Sequence, residues 1–156
     1  MNRTAIAIAA FLLAACGGQS ASHSNSSTAN SSTAPSGAAP TSYSSLANGR
    51  EIFQTGKDWA GHPLVAATHP LRSSCAACHG TNGAGGQHIA DHAVSADLRH
   101  TALVTDQKPP YNLQLLERAI STGVDNTGQP LNRVMPHWKM SSGDLHDVAA
   151  YVLTLK

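Results

Sequence analysis

Large aromatic side chains are scarce in this sequence: two Trp, three Tyr and two Phe amount to 4% of 156 residues. A domain so poor in them has a thin core for its length, a shortage that a large apolar group at its centre would relieve. An excess of one charge is missing too. Ten Lys and Arg stand against nine Asp and Glu, and Arg3 is the one formal charge ahead of Arg50, so the rest of the chain is neutral. Neutrality removes the electrostatic case for nucleic acid, or for an anionic lipid surface, as a partner. No apolar run is long enough to span a bilayer, which takes about 20 residues. No segment alternates convincingly enough to read as a strand, and there are no internal repeats. Cysteines number three, Cys16, Cys75 and Cys78. That is too few for a disulfide framework, and the odd count demands separate fates for them.

The first of these fates is legible at the N-terminus. Arg3 supplies a positive start, and Ala5 to Ala15 is a short apolar run that reads as an export signal over 1–15. It ends in Leu13-Ala14-Ala15-Cys16, which resembles the lipobox of bacterial lipoproteins. That resemblance implies acylation of Cys16 as the new N-terminus. The competing reading is an ordinary signal peptide with Cys16 incidental. Gly17 stands where Asp would retain a lipoprotein at the inner membrane, so the resemblance implies an exported protein, lipid-anchored to the cell envelope on the outer membrane and facing the periplasm. Residues 16–44 are mostly Ser, Ala, Asn, Thr, Gly and Pro after Cys16, without an Asp, Glu, Lys or Arg, a composition that cannot offset its ordering entropy and is expected to be a disordered tether. As a flexible coil it would span roughly 30 Å and reach at most about 90 Å.

The folded domain is expected over 45–156. Leu46, Gly49 and Phe53 share one helical face with Ile52 alongside, and Gly56 ends the pattern. A second helix is expected from about Asn112 to Thr122, after Pro109-Pro110 and stopped by Gly123, burying Leu113, Leu116 and Ile120. A third begins at Ser141 as N-cap with Asp144 at N3, and Leu145, Val148, Ala149, Val152 and Leu155 form its apolar stripe. The loops between them are long and rich in Gly and His, which a wrapped cofactor would explain.

Cys75-Ala76-Ala77-Cys78-His79 is the decisive motif. Two thiols three residues apart fall within one helical turn and can add to the two vinyl groups on one edge of a haem, and the next residue sets an imidazole against the iron. The pattern reads as covalent attachment of one haem c through Cys75 and Cys78, with His79 on the metal. Zinc binding is the weaker alternative, since no second Cys pair exists and only His88 and His92 have a ligand-like spacing. A redox dithiol lacks the βαβ pattern that would surround it.

On these residues the chain is similar to the class I c-type cytochromes from about Leu46 to Lys156. The resemblance rests on a helix with Gly49 and Phe53, then Cys75-Ala76-Ala77-Cys78-His79-Gly80, then Met135-Pro136 ahead of a final helix with Tyr151. It implies an all-α, cytochrome c-like fold: three or more short helices with long loops around one covalent haem, the first and last helices crossing where Gly49 faces Tyr151. Two features depart from the pattern. Lys57 to Ser74 is a longer lead-in to the motif than the simplest members have, and no Pro falls between Gly80 and Lys108 to offer its carbonyl to the proximal histidine.

A Met/His pair would close the iron to outside ligands and suit electron transfer. Met135 is the expected distal ligand, held extended by Pro136. Met140 is the alternative, although its place before Ser141 suits a hydrophobic staple on Leu145. His62, His69, His88, His92, His100, His137 and His146, like His23 in the tether, read as solvated loop residues, with His137 a substitute ligand should the methionine fail. Arg133 and Trp138 flank the same loop as candidate donors to haem carboxylates. Gly83-Ala84-Gly85-Gly86 reads as a flexible turn. The expected function is one-electron carriage between redox protein donors and acceptors at the envelope, with membrane contact through the lipid and without enzymatic activity. The rivals are a haem c subunit of a membrane-associated dehydrogenase or oxidase, and a peroxide- or gas-binding haem with an open sixth site.

Overall fold

The structure is a computed structural model and describes residues 42–67, 70–90 and 92–156. The export signal, Cys16, His23 and His69 lie outside the described residues. The fold is mostly helical, as the sequence implied. Helix α1 spans Ser42–Thr55, strand β1 Val65–Ala66, helix α2 Ala76–His79, helix α3 Leu113–Thr122, strand β2 Trp138–Lys139 and helix α4 Ser142–Val152; a π-helical turn at Thr101–Thr105 precedes α3.

Helices α1 and α4 form the central crossing. Gly49 makes it close: a Cβ there would overlap the Asp147 carbonyl and crowd the Cβ of Tyr151. Phe53 sits beside that contact with its ring 5.6 Å from that of Tyr151. Ile52, Phe53 and Val148 are fully buried, each contributing about 1.5–3 kcal/mol of apolar transfer. Leu46 is 41% exposed at the edge of the crossing, while Ile52, alongside that face, is fully buried. A polar knot accompanies the contact. The Asn48 amide donates to Asp144 Oδ1 and Asp147 Oδ2, both at 2.8 Å, and its oxygen accepts the Trp59 backbone N–H at 2.7 Å.

The later helices begin and end where their caps dictate. Asn112 accepts from the Leu115 N–H at 2.9 Å to start α3, and Gly123 closes it in the left-handed conformation at φ 69°. Ser141 accepts from the Asp144 N–H at 3.1 Å to start α4. Val148, Ala149 and Val152 are buried along the α4 stripe, Leu155 is buried just past its end, and Leu145 packs half-buried beside them.

The two strands correct the strand-free expectation. Two residues each, they pair antiparallel with Val65 opposite Lys139 and Ala66 opposite Trp138. A strand of two residues carries no alternation to read, so nothing in the local sequence announces it. The Gly83–Gly86 run is likewise more fixed than a flexible turn. Gly83, Gly85 and Gly86 all hold positive φ, and their N–H groups donate to the carbonyls of Gly80, His79 and Ser95 at 2.8–3.0 Å.

Candidate functional site

Helix α2 is a single turn, tied by the His79 and Gly80 N–H groups donating to the Cys75 and Ala76 carbonyls at 2.9 and 2.8 Å. Ser74 Oγ accepts from the Ala77 N–H at 3.2 Å and steadies the start of the turn. This geometry sends Cys75, Cys78 and His79 into one cavity of about 320 Å³, the size of a small-molecule site. Its walls are apolar, with Phe53, Leu103, Leu116, Ile120, Val148 and Val152 among them. Met135 lines the same cavity and Met140 does not; Met140 packs against the core as a structural residue instead.

The imidazole of His79 is fixed. Its Nδ1 stands 2.8 Å from the Ala96 carbonyl oxygen. A carbonyl only accepts, so Nδ1 carries the proton and the Nε2 lone pair is left for a metal. The absent proline is thereby replaced. The glycine-rich run folds back along Ser95–Leu98, with Ser95 N–H donating to Gln87 at 2.9 Å and Leu98 N–H to Gly83 at 2.7 Å. Gly85 lies where a Cβ would overlap the Ala96 carbonyl. The signal in the sequence was the run of glycines, but its destination is a contact across the chain.

Burial is the leading influence on the site's titratable groups. It pushes the Cys75 thiol up to about 12, although that side chain keeps some accessible surface where it opens onto the cavity. It also raises the Cys78 thiol, against the opposing pull of Arg72. Burial lowers the His79 imidazole, partly offset by the Ala96 carbonyl. Two neutral sulfurs and a neutral imidazole facing an apolar cavity suit thioether bonds and metal ligation. Gln107, Tyr111 and Asn132 add neutral polar groups to the lining.

The remaining candidates stand apart from the cavity. Trp138 is buried in the core and Arg133 is exposed; neither lines the cavity. His137 lays its ring against Gly123 at the end of α3, where a Cβ would overlap it, and is not among the lining residues either. His62 pairs with Asp58 at 2.9 Å and His146 with Glu117 at 3.1 Å. His88, His92 and His100 are exposed. Among the described residues no three His, Cys, Asp or Glu side chains cluster to hold a metal ion by themselves.

Short helices closed around an apolar cavity, with two cysteines and a neutral histidine at its edge, suit a protein that encloses an apolar cofactor, and the residues present fit a haem. The cytochrome c family model matches residues 46–156, and the chain belongs to that family, the c-type cytochromes. Members bind haem c covalently and carry electrons, so a haem-based electron-transfer role follows for this chain. No curated protein and no solved structure matches it.

Proposed function

We propose that the chain is a one-electron carrier whose single haem c is bonded through Cys75 and Cys78 and ligated by His79 and Met135. One observation carries this reading: Met135 and His79 line the same cavity, and the His79 ring has its Nδ1 proton committed to Ala96. When bound, the haem supplies a reversible one-electron iron couple. The chain's own residues do the rest. Ala96 orients the imidazole, the Met135 thioether would hold the iron against outside ligands, and the apolar walls would exclude water. Gln107, Tyr111 and Asn132 are the donors on hand for the haem carboxylates.

In the same reading, residues 1–15 are an export signal, acylated Cys16 anchors the protein to the envelope, the tether runs from there to the start of α1 at Ser42, three residues before the expected boundary of 45, and the rest of the chain forms the cytochrome domain. Facing the periplasm from the outer membrane, that domain would exchange electrons through the small, weak encounters usual between redox proteins. Spectra of the holoprotein test the ligation. Met135→Ala is expected to abolish the iron–sulfur charge-transfer band and to open the ferrous protein to carbon monoxide, while Met140→Ala leaves both unchanged. Loss of the band in Met140→Ala but not in Met135→Ala would overturn the assignment.

A further inference from the structure

We propose that Lys57 to Ala67, the outgoing limb of the excursion between Gly56 and Ser74, is a strap that positions the Met135 loop, with the Ala67 N–H as its positioning group; the consequence for iron rests on the ligation proposed above.

The excursion leaves and re-enters the domain at one point. The Gly56 N–H closes α1 on the Ile52 carbonyl at 2.9 Å, and the Gly56 carbonyl accepts from Leu64 at 2.8 Å. Gly56 adopts φ +72°, and a Cβ on it would overlap the Ser73 carbonyl. Inside this neck the chain makes a small closed loop, with Lys57 bridged to Pro63 and the Asp58 N–H donating to the His62 carbonyl at 3.0 Å. It then runs out as β1. The pairing with β2 continues one step further, to an Ala67 N–H donating to the His137 carbonyl at 2.6 Å. Only Pro136 separates that carbonyl from Met135.

The other end of the Met135 loop is held independently. Leu131 N–H donates to the Gly123 carbonyl at 2.7 Å, and the Met135 and Val134 N–H groups donate to the backbone and side-chain oxygens of Asn132 at 2.9 and 3.1 Å. The loop is thus a span with two abutments, the cap of α3 and the strap. The strap is the weaker of them. Two residues of pairing are marginal on their own, and Val65 is 58% exposed. What holds it is the packing of Leu64 and Ala66 on the core. An element so supported opens at lower cost than the helices do, and opening it removes the backbone hold on the chain next to Met135. Its return limb ends in Ser74, which steadies α2, so one excursion touches both segments that carry candidate ligands.

The test uses the holoprotein in two variants. Ala67→Pro removes the N–H, with Ala67→Gly as the variant that keeps it; the second replaces Lys57–Ser73 by a short glycine linker, which the shared neck allows. Amide hydrogen exchange reads the loop without reference to the metal, and carbon monoxide uptake by the ferrous protein reads the sixth position. Loss of one backbone hydrogen bond at an abutment is expected to raise both rates about tenfold, with exchange at Val148 and Val152 unchanged and Ala67→Gly like the wild type. Unchanged exchange at Met135 in the linker variant overturns the strap, whatever Ala67→Pro does to folding. Faster exchange in a protein whose wild type shows no iron–sulfur band upholds the strap and overturns the Met135 ligation instead.

Discussion

The Ala96 carbonyl can stand under the His79 ring because Gly85 offers no side chain to displace it. Gly85 at φ +62° and Gly86 at φ +75° are both in the left-handed region, yet they differ in surroundings: a Cβ on Gly85 meets Ala96, and a Cβ on Gly86 meets nothing within 4 Å. Each substitution by alanine costs about 1–2 kcal/mol of backbone strain, and only the first disturbs the histidine proposed as the ligand. A carbonyl accepting from Nδ1 makes the imidazole a stronger donor to the metal and so favours the ferric state. Gly85→Ala is therefore expected to raise the reduction potential of the holoprotein, on the order of tens of millivolts for a weakened hydrogen bond, while Gly86→Ala leaves it unmoved. Redox titration of the two variants decides it, and equal potentials would mean that Ala96 does not tune the histidine.

At the scale of elements, the crossing of α1 and α4 depends on one asparagine as much as on Gly49. The Asn48 side chain spends both ends, its amide on two α4 carboxylates and its oxygen on the Trp59 N–H of the excursion. Asp147 is only 8% exposed. Asn48→Ala deprives that buried carboxylate of a donor, and a loss of about 1–3 kcal/mol in denaturant unfolding of the holoprotein is expected; a change near zero would show that water or a shifted side chain replaces the amide. This residue was not legible in the sequence, whereas the limits of α3 and the start of α4 were; α1 begins at Ser42, inside the expected tether. Asn112, Gly123 and Ser141 announce their helices because a cap acts on its own neighbours. The β1–β2 pair, the Gly85–Ala96 contact and Asn48 work between segments far apart in the chain, and local pattern carries no trace of a partner until the fold supplies it. That Cys75, Cys78 and His79 share one cavity was legible for the opposite reason, since all three lie on one helical turn. Leu46 stays 41% exposed on the face it shares with Phe53 because spacing gives a face and not its depth.

For the whole molecule, the cavity decides what holds the fold together. Phe53, Leu103, Leu116, Ile120, Val148 and Val152 are buried in the core and also line the cavity, so the core and the site are one structure. An apolar space of about 320 Å³ left empty would cost on the order of 8 kcal/mol at the usual penalty per unit volume, an upper bound because part of it opens to solvent. Small domains have about 5–15 kcal/mol of net stability, so leaving this space unfilled would consume a large share of that margin. The scarcity of large aromatics has its physical answer here: the haem supplies the central mass that side chains do not. A Cys75→Ala, Cys78→Ala chain purified free of haem is accordingly expected to keep part of its helical circular dichroism but to lose its fixed aromatic signal and its cooperative melt. A sharp transition within a few degrees of the holoprotein would show instead that the helices close on themselves, leaving the cofactor a passenger in the fold.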